Sequence, residues 1–387
     1  MASGGRLPAA SVTRLALTDF RGYAGLRLSL EPCSVVLTGP NGAGKTNLLE
    51  AISFLAPGRG LRRARLSDID RRVPPARPTA LVPGAWAVAV TLAGPRGATA
   101  IGTGRDPTSA TGERRLVQID GAAARTQTAL AQCLCVIWLT PQMDRLFTEA
   151  AAARRRFLDR LVYGFDPGHV HRVTAYEQAM RERMRLLAQR SPADPAWLGA
   201  LEARMAEHGV AVAAARRNTA AALDEAAAAA PGAFPAARLA VTGELESWLE
   251  TMPALAAEEA FARRLVAARA SDAAQGQTAF GPHRCDLAAY HGKTHISAAQ
   301  CSTGEQKALL IGIVLAFARL MARRRGEIPI LLLDEVAAHL DRARREALFA
   351  EIGSSRGQAW LTGTDRILFD GMSGTAQFLT VADGVIS

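Results

Sequence analysis

The chain has 387 residues, of which 49% are hydrophobic and 5% aromatic, and its 46 lysines and arginines exceed its 36 aspartates and glutamates to give a formal charge of +10. This length allows two or three domains of about 150 residues each. The positive charge favours a polyanionic partner, of which nucleic acid is the most obvious. The few aromatic residues argue against a stacking platform for unpaired bases, so contact with backbone phosphates is the better interpretation.

Cysteine content and hydropathy both favour a cytoplasmic protein that does not cross a membrane. The five cysteines form an odd set without a C-x-x-C pair, which fits buried thiols in a reducing compartment. Residues 1–11 are expected to form a disordered lead, since the N-terminus has no apolar signal core. The longest apolar run, residues 308–318, is much shorter than the ~20 residues of a membrane span.

A phosphate-binding loop follows a short apolar segment. Residues 34–38 are apolar and β-branched, a pattern typical of a buried strand. The next residues match the P-loop motif G-x-x-x-x-G-K-[ST] and lead into a helical pattern: Gly39, Pro40, Asn41, Gly42, Ala43, Gly44, Lys45 and Thr46. We expect the backbone N–H groups of this loop to hold the phosphates of ATP. Lys45 should reach the β- and γ-phosphates, and the Thr46 hydroxyl should bind Mg²⁺.

The segment up to residue 145 is predicted to be rich in strands. Alternating patterns predict strands at 86–92, 98–103 and 115–119, and Asp120-Gly121 predicts a hairpin turn. An apolar segment at 133–139 predicts a core strand.

Residues 146–275 change to a composition rich in alanine, arginine and glutamate, with helical spacing interrupted by prolines. This pattern predicts an inserted, mainly helical arm domain with one candidate strand at 238–241. The insertion has no sustained heptad seam, so it does not match a long coiled-coil tether. The head domain is therefore predicted to be discontinuous and to consist of residues 12–145 and 276–387.

A short polar segment precedes a helical pattern of apolar residues between 307 and 321. Its residues are Ser302, Thr303, Gly304, Glu305 and Gln306. A serine or threonine at this position can cap the helix, and an open helix N-terminus can also receive an anion. Both interpretations can hold together. The P-loop already holds the nucleotide of its own chain, so an anion at Ser302 and Gly304 would come from another subunit.

A second buried strand is predicted to end in two carboxylates. Residues 330–333 are apolar, and Asp334 and Glu335 follow them. A carboxylate at the end of a parallel strand beside a P-loop suits a Mg²⁺ ligand, and we assign this role to Asp334. We assign Glu335 to orienting and polarising the attacking water. Glu335 and Lys45 are therefore the predicted catalytic residues.

Arginines occur in clusters that are candidates for contact with DNA phosphates. Each cluster also fits a solvated helix face, and the first is the one we favour for DNA: Arg59, Arg62, Arg63, Arg65, Arg71 and Arg72; Arg154, Arg155 and Arg156; Arg181, Arg183 and Arg185; Arg323, Arg324 and Arg325. Contact with backbone phosphates predicts steep salt dependence and little sequence preference.

The order of P-loop, signature segment and carboxylate strand resembles that of the ABC-type ATPases, and within them the chain is similar to the RecF family of recombination mediators. This closer resemblance covers roughly residues 12–385 and is carried by an opening "DFR" turn, an "RRxFLD" segment and a "GPHRxDL" segment, at 19–21, 155–159 and 281–287. Two residues depart from the common signature, Cys301 and Glu305. No switch histidine follows the strand at 359–362, which favours slow ATP turnover.

The resemblance implies an α/β fold with an ABC-type P-loop ATPase head, mixed sheets around the P-loop helix and the helical arm. Two heads would bind ATP face to face, so that Ser302 and Gly304 of one meet the γ-phosphate held by Lys45 of the other. Gln306 would belong to this signature, and Asp341 would lie in a D-loop that communicates across the interface. Gln142 would be a Q-loop ligand of Mg²⁺, although an ordinary loop glutamine fits that position as well.

The resemblance also implies a function and partners. The chain would be an ATP-dependent homodimer that binds single-stranded, duplex or junction DNA at gaps or stalled forks, and would assist recombinase loading and SOS induction with mediators like RecR and RecO. It would act as a weak DNA-dependent ATPase in which hydrolysis times release. The alternative is an ABC-type ATPase subunit that serves another partner, such as a transporter.

Overall fold

The computed structural model describes residues 10–71, 84–94, 97–189, 194–229, 232–382 and 384–387. Residues 1–9 of the expected disordered lead and Arg72 lie outside these ranges, and the first strand already includes Ser11. Internal contacts divide the chain into one unit of residues 1–143 and 321–387 and a second unit of residues 144–320.

The described residues form both strands and helices. In chain order they are β1 (Ser11–Phe20), β2 (Tyr23–Ser29), β3 (Ser34–Thr38), α1 (Lys45–Ser53), β4 (Ala87–Gly94), β5 (Gly97–Arg105), β6 (Arg115–Ile119), β7 (Ala122–Ala123), α2 (Leu130–Cys133), β8 (Val136–Leu139), α3 (Ala151–Phe165), α4 (His169–Leu187), α5 (Pro195–Ala228), β9 (Ala237–Thr242), α6 (Glu244–Thr251), α7 (Ala254–Ala267), α8 (Arg269–Gln275), β10 (Asp286–His291), α9 (Thr303–Arg325), β11 (Ile330–Leu333), α10 (Arg342–Ser355), β12 (Ala359–Gly363), β13 (Ala376–Ala382) and β14 (Val385–Ile386).

The P-loop strand β3 lies inside a six-stranded sheet of the first unit, with the order β14-β13-β3-β12-β11-β8. The strands from β13 to β8 pair in parallel, and β14 is antiparallel to β13. Every residue of β3, β8, β11 and β12 is buried. This burial explains their continuous apolar sequences, since helices or another sheet cover both faces of parallel strands. The segments that follow β3, β11 and β8 consequently share the carboxyl edge of the sheet.

A second sheet of the first unit has the order β2-β1-β4-β5-β6-β7 and is antiparallel throughout. The predicted strands at 86–92, 98–103 and 115–119 correspond to β4, β5 and β6. The predicted turn is confirmed, with Asp120 and Gly121 at φ 49° and 80° between β6 and β7. The predicted strand at 133–139 is wrong in its first part, because α2 ends at Cys133 and the strand spans only Val136–Leu139.

One buried cluster packs this second sheet against the P-loop helix. The Trp86 ring lies 5.6 Å from that of Phe20 on β1 and 4.8 Å from that of Phe54, the residue after α1. The Trp86 indole N–H also donates to the backbone oxygen of Leu66 at 2.9 Å, so its polar atom is satisfied in the core. All three rings are fully buried. The packing fixes the end of α1 and thereby the direction in which the P-loop faces.

The second unit is mainly helical, as predicted for the arm, and contains α3 to α8 with the two-stranded sheet of β9 and β10. The candidate strand at 238–241 is confirmed as the centre of β9. Residues 276–320, which we assigned to the head from sequence, group with this unit by their contacts. The physical reason is that β10 pairs along its length with β9.

All five cysteines are free, but only Cys285 is fully buried. Within the described ranges, no helix is both long and apolar enough to cross a membrane.

Candidate nucleotide-binding site

The P-loop has the backbone conformation that its glycines permit. Gly39 has φ 144°, and a Cβ atom there would lie 2.0 Å from the Val381 carbonyl oxygen. Gly44 has φ 111°, and a Cβ atom there would lie 2.6 Å from the Tyr23 hydroxyl. That hydroxyl donates to the Gly44 carbonyl at 3.2 Å. Both positions therefore require glycine for conformation and for space.

Lys45 is held inside the loop by backbone oxygens. Its Nζ donates to the Gly39 carbonyl at 2.6 Å and to the Pro40 carbonyl at 2.8 Å. Burial lowers the pKa of Lys45, and the carboxylates of Glu335 and Asp334 oppose this change. A phosphate close to the loop would compete for the same ammonium group, because a charged acceptor binds it more strongly than a carbonyl does.

The Thr46 hydroxyl and Asp334 are brought together across 288 residues of sequence. Thr46 Oγ1 donates to Asp334 Oδ1 at 3.0 Å. Burial raises the pKa of Asp334 from its ordinary value, with the nearby Glu335 adding to the effect and the hydroxyls of Thr362 and Thr46 opposing it. A buried carboxylate beside a hydroxyl is a donor set of the kind that Mg²⁺ uses together with phosphate oxygens and water. The geometry thus fits the predicted metal ligands.

Thr362, which the sequence analysis did not assign, connects the two carboxylate residues. It lies on β12 next to β11 and is fully buried. Its hydroxyl donates to Asp334 Oδ1 at 2.8 Å and accepts from the Glu335 backbone N–H at 2.9 Å. Glu335 has φ 53°, uncommon for a residue with a side chain. A lone hydroxyl residue in an otherwise apolar strand was the only sequence signal, and the pairing of β12 with β11 is what shows its contacts.

Gln142 and Asp341 are both exposed, and they lie in different parts of the fold. Gln142 is exposed, in the turn after β8, and β8 pairs with β11 in register, so it follows the strand next to that of Asp334. Asp341 is exposed and caps α10, accepting from the Arg344 backbone N–H at 2.8 Å. The Mg²⁺ role of Gln142 and the interface role of Asp341 remain predictions. Among the residues described, no group of three or more His, Cys, Asp or Glu side chains is arranged to hold a metal ion.

The signature segment caps α9, as the helix-cap interpretation predicts. Glu305 Oε2 accepts from the Ser302 backbone N–H at 2.9 Å and from the Ser302 hydroxyl at 2.8 Å, which forms a capping box. Gln306 is buried, and its side chain donates to the Cys301 carbonyl at 2.9 Å. Ser302 and Gly304 are exposed.

Gly304 is not required by the conformation of the single chain. Its φ is not in the left-handed region. A Cβ atom there would meet no described atom within 4 Å.

A buried ion pair anchors the P-loop helix to the opening turn, and sequence reasoning did not identify it. Glu50 on α1 is fully buried and accepts two bonds from Arg21, at 2.9 Å from Nε and 2.8 Å from Nη2. Arg62 donates from Nη1 to Glu50 and to Asn47, each at 2.8 Å. Arg21 belongs to the "DFR" turn, so this turn positions the helix that begins at the P-loop.

The two family-specific segments of the second unit bind each other. Arg216 on α5 donates two bonds of 2.8 Å to Asp159 of the "RRxFLD" segment and one of 2.6 Å to the Pro282 carbonyl of the "GPHRxDL" segment. Arg155 donates to the Cys285 carbonyl at 2.6 Å. These segments therefore build the interior of the second unit.

The exposure of each arginine side chain distinguishes the clusters that could contact DNA from those that could not, which charge alone did not do. Arg183 is fully buried against Glu202 and Asp272 at 2.9 and 2.7 Å, so its candidate role in DNA contact is wrong. Arg154 is engaged by Asp286 through two bonds of 2.7 Å. The first cluster keeps exposed members: Arg59, Arg62, Arg63 and Arg65.

Comparison with known proteins identifies the family. A family model described as the RecF/RecN/SMC N terminal domain matches residues 11–386. The DNA replication and repair protein RecF of Rhizobium meliloti (strain 1021) is 48% identical over 378 residues, which cover 97% of this chain and 98% of the relative. The chain belongs to the RecF family. The RecF protein of Mesorhizobium japonicum is 50% identical over 379 residues and 97% of both chains.

Solved structures agree with this RecF fold. The structure of the recombination mediator RecF-ATP in the RecFOR pathway has a TM-score of 0.84 at 18% identity and covers 100% of this chain and 99% of its own. A Smc head domain with an extended coiled coil from Pyrococcus furiosus has a TM-score of 0.52 at 16% identity and covers 98% of this chain and 95% of its own. The ABC-type ATPase fold predicted from the motif order is confirmed.

Proposed function

We propose that this chain is an ATP-dependent, DNA-binding recombination mediator of the cytoplasm. As a member of the RecF family, it acts in DNA replication and repair. In the proposed cycle ATP favours pairing of two heads on gapped or stalled-replication DNA, and hydrolysis removes the γ-phosphate contacts and releases the pair. The paired heads assist recombinase loading, gap repair and SOS induction.

The observation that carries the proposal is the pairing of Thr46 with Asp334 beside Lys45, at 3.0 Å between the hydroxyl and carboxylate oxygens. Lys45 exchanges the carbonyls of Gly39 and Pro40 for the β- and γ-phosphates. Mg²⁺ held by Thr46 and Asp334 would neutralise phosphate charge. Glu335 orients and polarises the attacking water, with its backbone fixed by Thr362.

The exposed signature segment supports a second copy of the chain as the partner. The fold gives no internal reason for glycine at position 304, since a side chain there would meet no described atom within 4 Å. Close approach of a group from another molecule supplies such a reason. We assign that group to the γ-phosphate bound by the other copy, received by Ser302 and Gly304, with Gln306 supporting the segment and Asp341 near the interface.

DNA contact is assigned to the exposed members of the first arginine cluster. Arg59, Arg63 and Arg65 lie between α1 and β4, so phosphate binding there is close in sequence to the nucleotide site. Arg62 already bonds Asn47 and Glu50 on α1. Mediators like RecR and RecO are proposed as partners because one solved relative is described as part of the RecFOR pathway.

Fluorescence anisotropy of labelled DNA tests the proposal. Wild type, Lys45→Ala and Ser302→Arg are titrated with ATP, with ADP and without nucleotide at two salt concentrations. We expect ATP to tighten DNA binding by about tenfold, a typical coupling between two sites, and both variants to lose this gain. Lys293→Ala removes an exposed lysine in the second unit and serves as the matched control. Binding that ignores nucleotide in the wild type would refute the ATP-gated function.

A further inference from the structure

The Glu305 carboxylate accepts hydrogen bonds from the same Ser302 groups that, in the proposed function, donate to a phosphate. Its Oε2 accepts from both the backbone N–H and the hydroxyl of Ser302, at 2.9 and 2.8 Å. The Glu305 backbone N–H returns a bond of 3.3 Å to Ser302 Oγ. In the single chain, therefore, the signature serine is already bound to an anion of its own helix.

A carboxylate and a γ-phosphate compete for these donors. A serine hydroxyl carries one proton, and a proton donated to Glu305 is not available to a phosphate oxygen. Both anions also gain from the partial positive charge of the same helix N-terminus, and they repel each other when both are present. Ser302 must turn away from Glu305 before it can donate to phosphate.

We propose that Glu305 is a built-in competitor of the γ-phosphate, and that it sets the concentration at which two ATP-bound heads pair. The inference rests on the proposed function, in which Ser302 meets the nucleotide of a second copy. Glu305 is a positioning residue, because it acts through the Ser302 hydroxyl. Its side chain is exposed, so the displaced carboxylate would be solvated by water and the competition would be reversible.

The competitor can be removed while the helix cap is kept. A glutamine at position 305 still accepts the Ser302 N–H through its amide oxygen but carries no charge. The rest of α9 is anchored by buried apolar residues such as Leu309 and Phe317, both fully buried. The fold of a Glu305→Gln variant is therefore maintained by contacts that the substitution does not touch.

Sedimentation velocity with Mg²⁺ and a non-hydrolysable ATP analogue measures the pairing. We expect Glu305→Gln to lower the protein concentration of half-pairing by about tenfold, the scale of one charge-assisted hydrogen bond. This gain should shrink at high salt, because exposed charges are screened. In a Ser302→Ala background the same substitution should give a smaller gain, since no hydroxyl proton remains to compete for and only the charge repulsion is relieved.

Glu259→Gln is the matched control, because it removes an exposed glutamate charge on α7 and should leave the half-pairing concentration unchanged. The inference is overturned if Glu305→Gln pairs no better than a wild type that does pair with the analogue, or if its gain is equally large without the Ser302 hydroxyl. A wild type that binds the analogue and stays single refutes the proposed function itself, and this inference with it.

Discussion

Replacing Thr362 with valine tests whether the centre of the site is organised by a residue outside the recognised motifs. Valine keeps the shape of threonine but removes the hydroxyl, which bonds Asp334 at 2.8 Å and the Glu335 backbone N–H at 2.9 Å. A bond to a charged group contributes about 1.5–3 kcal/mol and a neutral bond about 1 kcal/mol. The Glu335 N–H would be left without that acceptor, so the unfolding free energy should fall by about 2–4 kcal/mol.

The effect on turnover should exceed the effect on nucleotide binding. Lys45 and the P-loop are untouched, whereas Asp334 loses one of two hydroxyl donors and Glu335 loses the bond that fixes its backbone. We expect ATP turnover at saturating Mg²⁺-ATP to fall about tenfold or more, the scale of a misplaced catalytic group. Steady-state turnover at varied ATP concentration separates these two effects, and urea unfolding without nucleotide measures the loss of stability. Thr362→Ser keeps the hydroxyl and should restore turnover; equal turnover in Thr362→Val and wild type would refute the reasoning.

The remaining predictions concern buried charges in the second unit. Arg216→Met leaves Asp159 buried without its main partner and should cost about 3–5 kcal/mol of unfolding free energy, while Arg216→Met with Asp159→Leu should recover much of it. Burial alone would raise the pKa of Asp159, but Arg216 and His169 together outweigh it and hold the pKa at about 2. The wild type should therefore keep this stabilisation above pH ~4 and lose about 2 kcal/mol as the pH falls towards 2, as acid unfolding can measure. Glu246 is buried, and burial raises the pKa of its carboxyl group. Because a raised carboxyl pKa penalises the charged form, Glu246→Gln should stabilise the chain at pH 8 and have little effect at pH 4. Equal unfolding free energies of the Glu246 variant and wild type at pH 8 would contradict this.

The sequence predicted the motifs of the site, because each is a local pattern with a local physical cause. The glycines of the P-loop and the apolar strand before Asp334 carry their conformational requirement in the chain itself. Thr362 was missed because its role depends on β12 pairing beside β11, which no local pattern encodes. The arginine clusters were resolved only by burial, since Arg183 and the exposed Arg59 are alike in sequence.

The limits of the domains and strands were less predictable than the motifs, because they also depend on contacts between distant parts of the sequence. Residues 276–320 follow the arm in sequence and precede β11, so the sequence analysis assigned them to the head. Their contacts are decided by the pairing of β10 with β9, two segments separated by about 45 residues of helix and loop. The error at 133–139 is of a similar kind, because apolar residues suit a buried helix as well as a strand.

The strand order of the parallel sheet bears on how the chain can fold as it is synthesised. β12 and β11 lie between β3 and β8, although both are made long after them. While a ribosome is still producing residues 140–320, β3 and β8 have no strand to join them, and their apolar faces stay open. The helical unit can pack during that time from contiguous sequence, which favours fast folding. A site that needs Asp334 and Thr362 beside the P-loop can thus be completed only after the last part of the chain has been made.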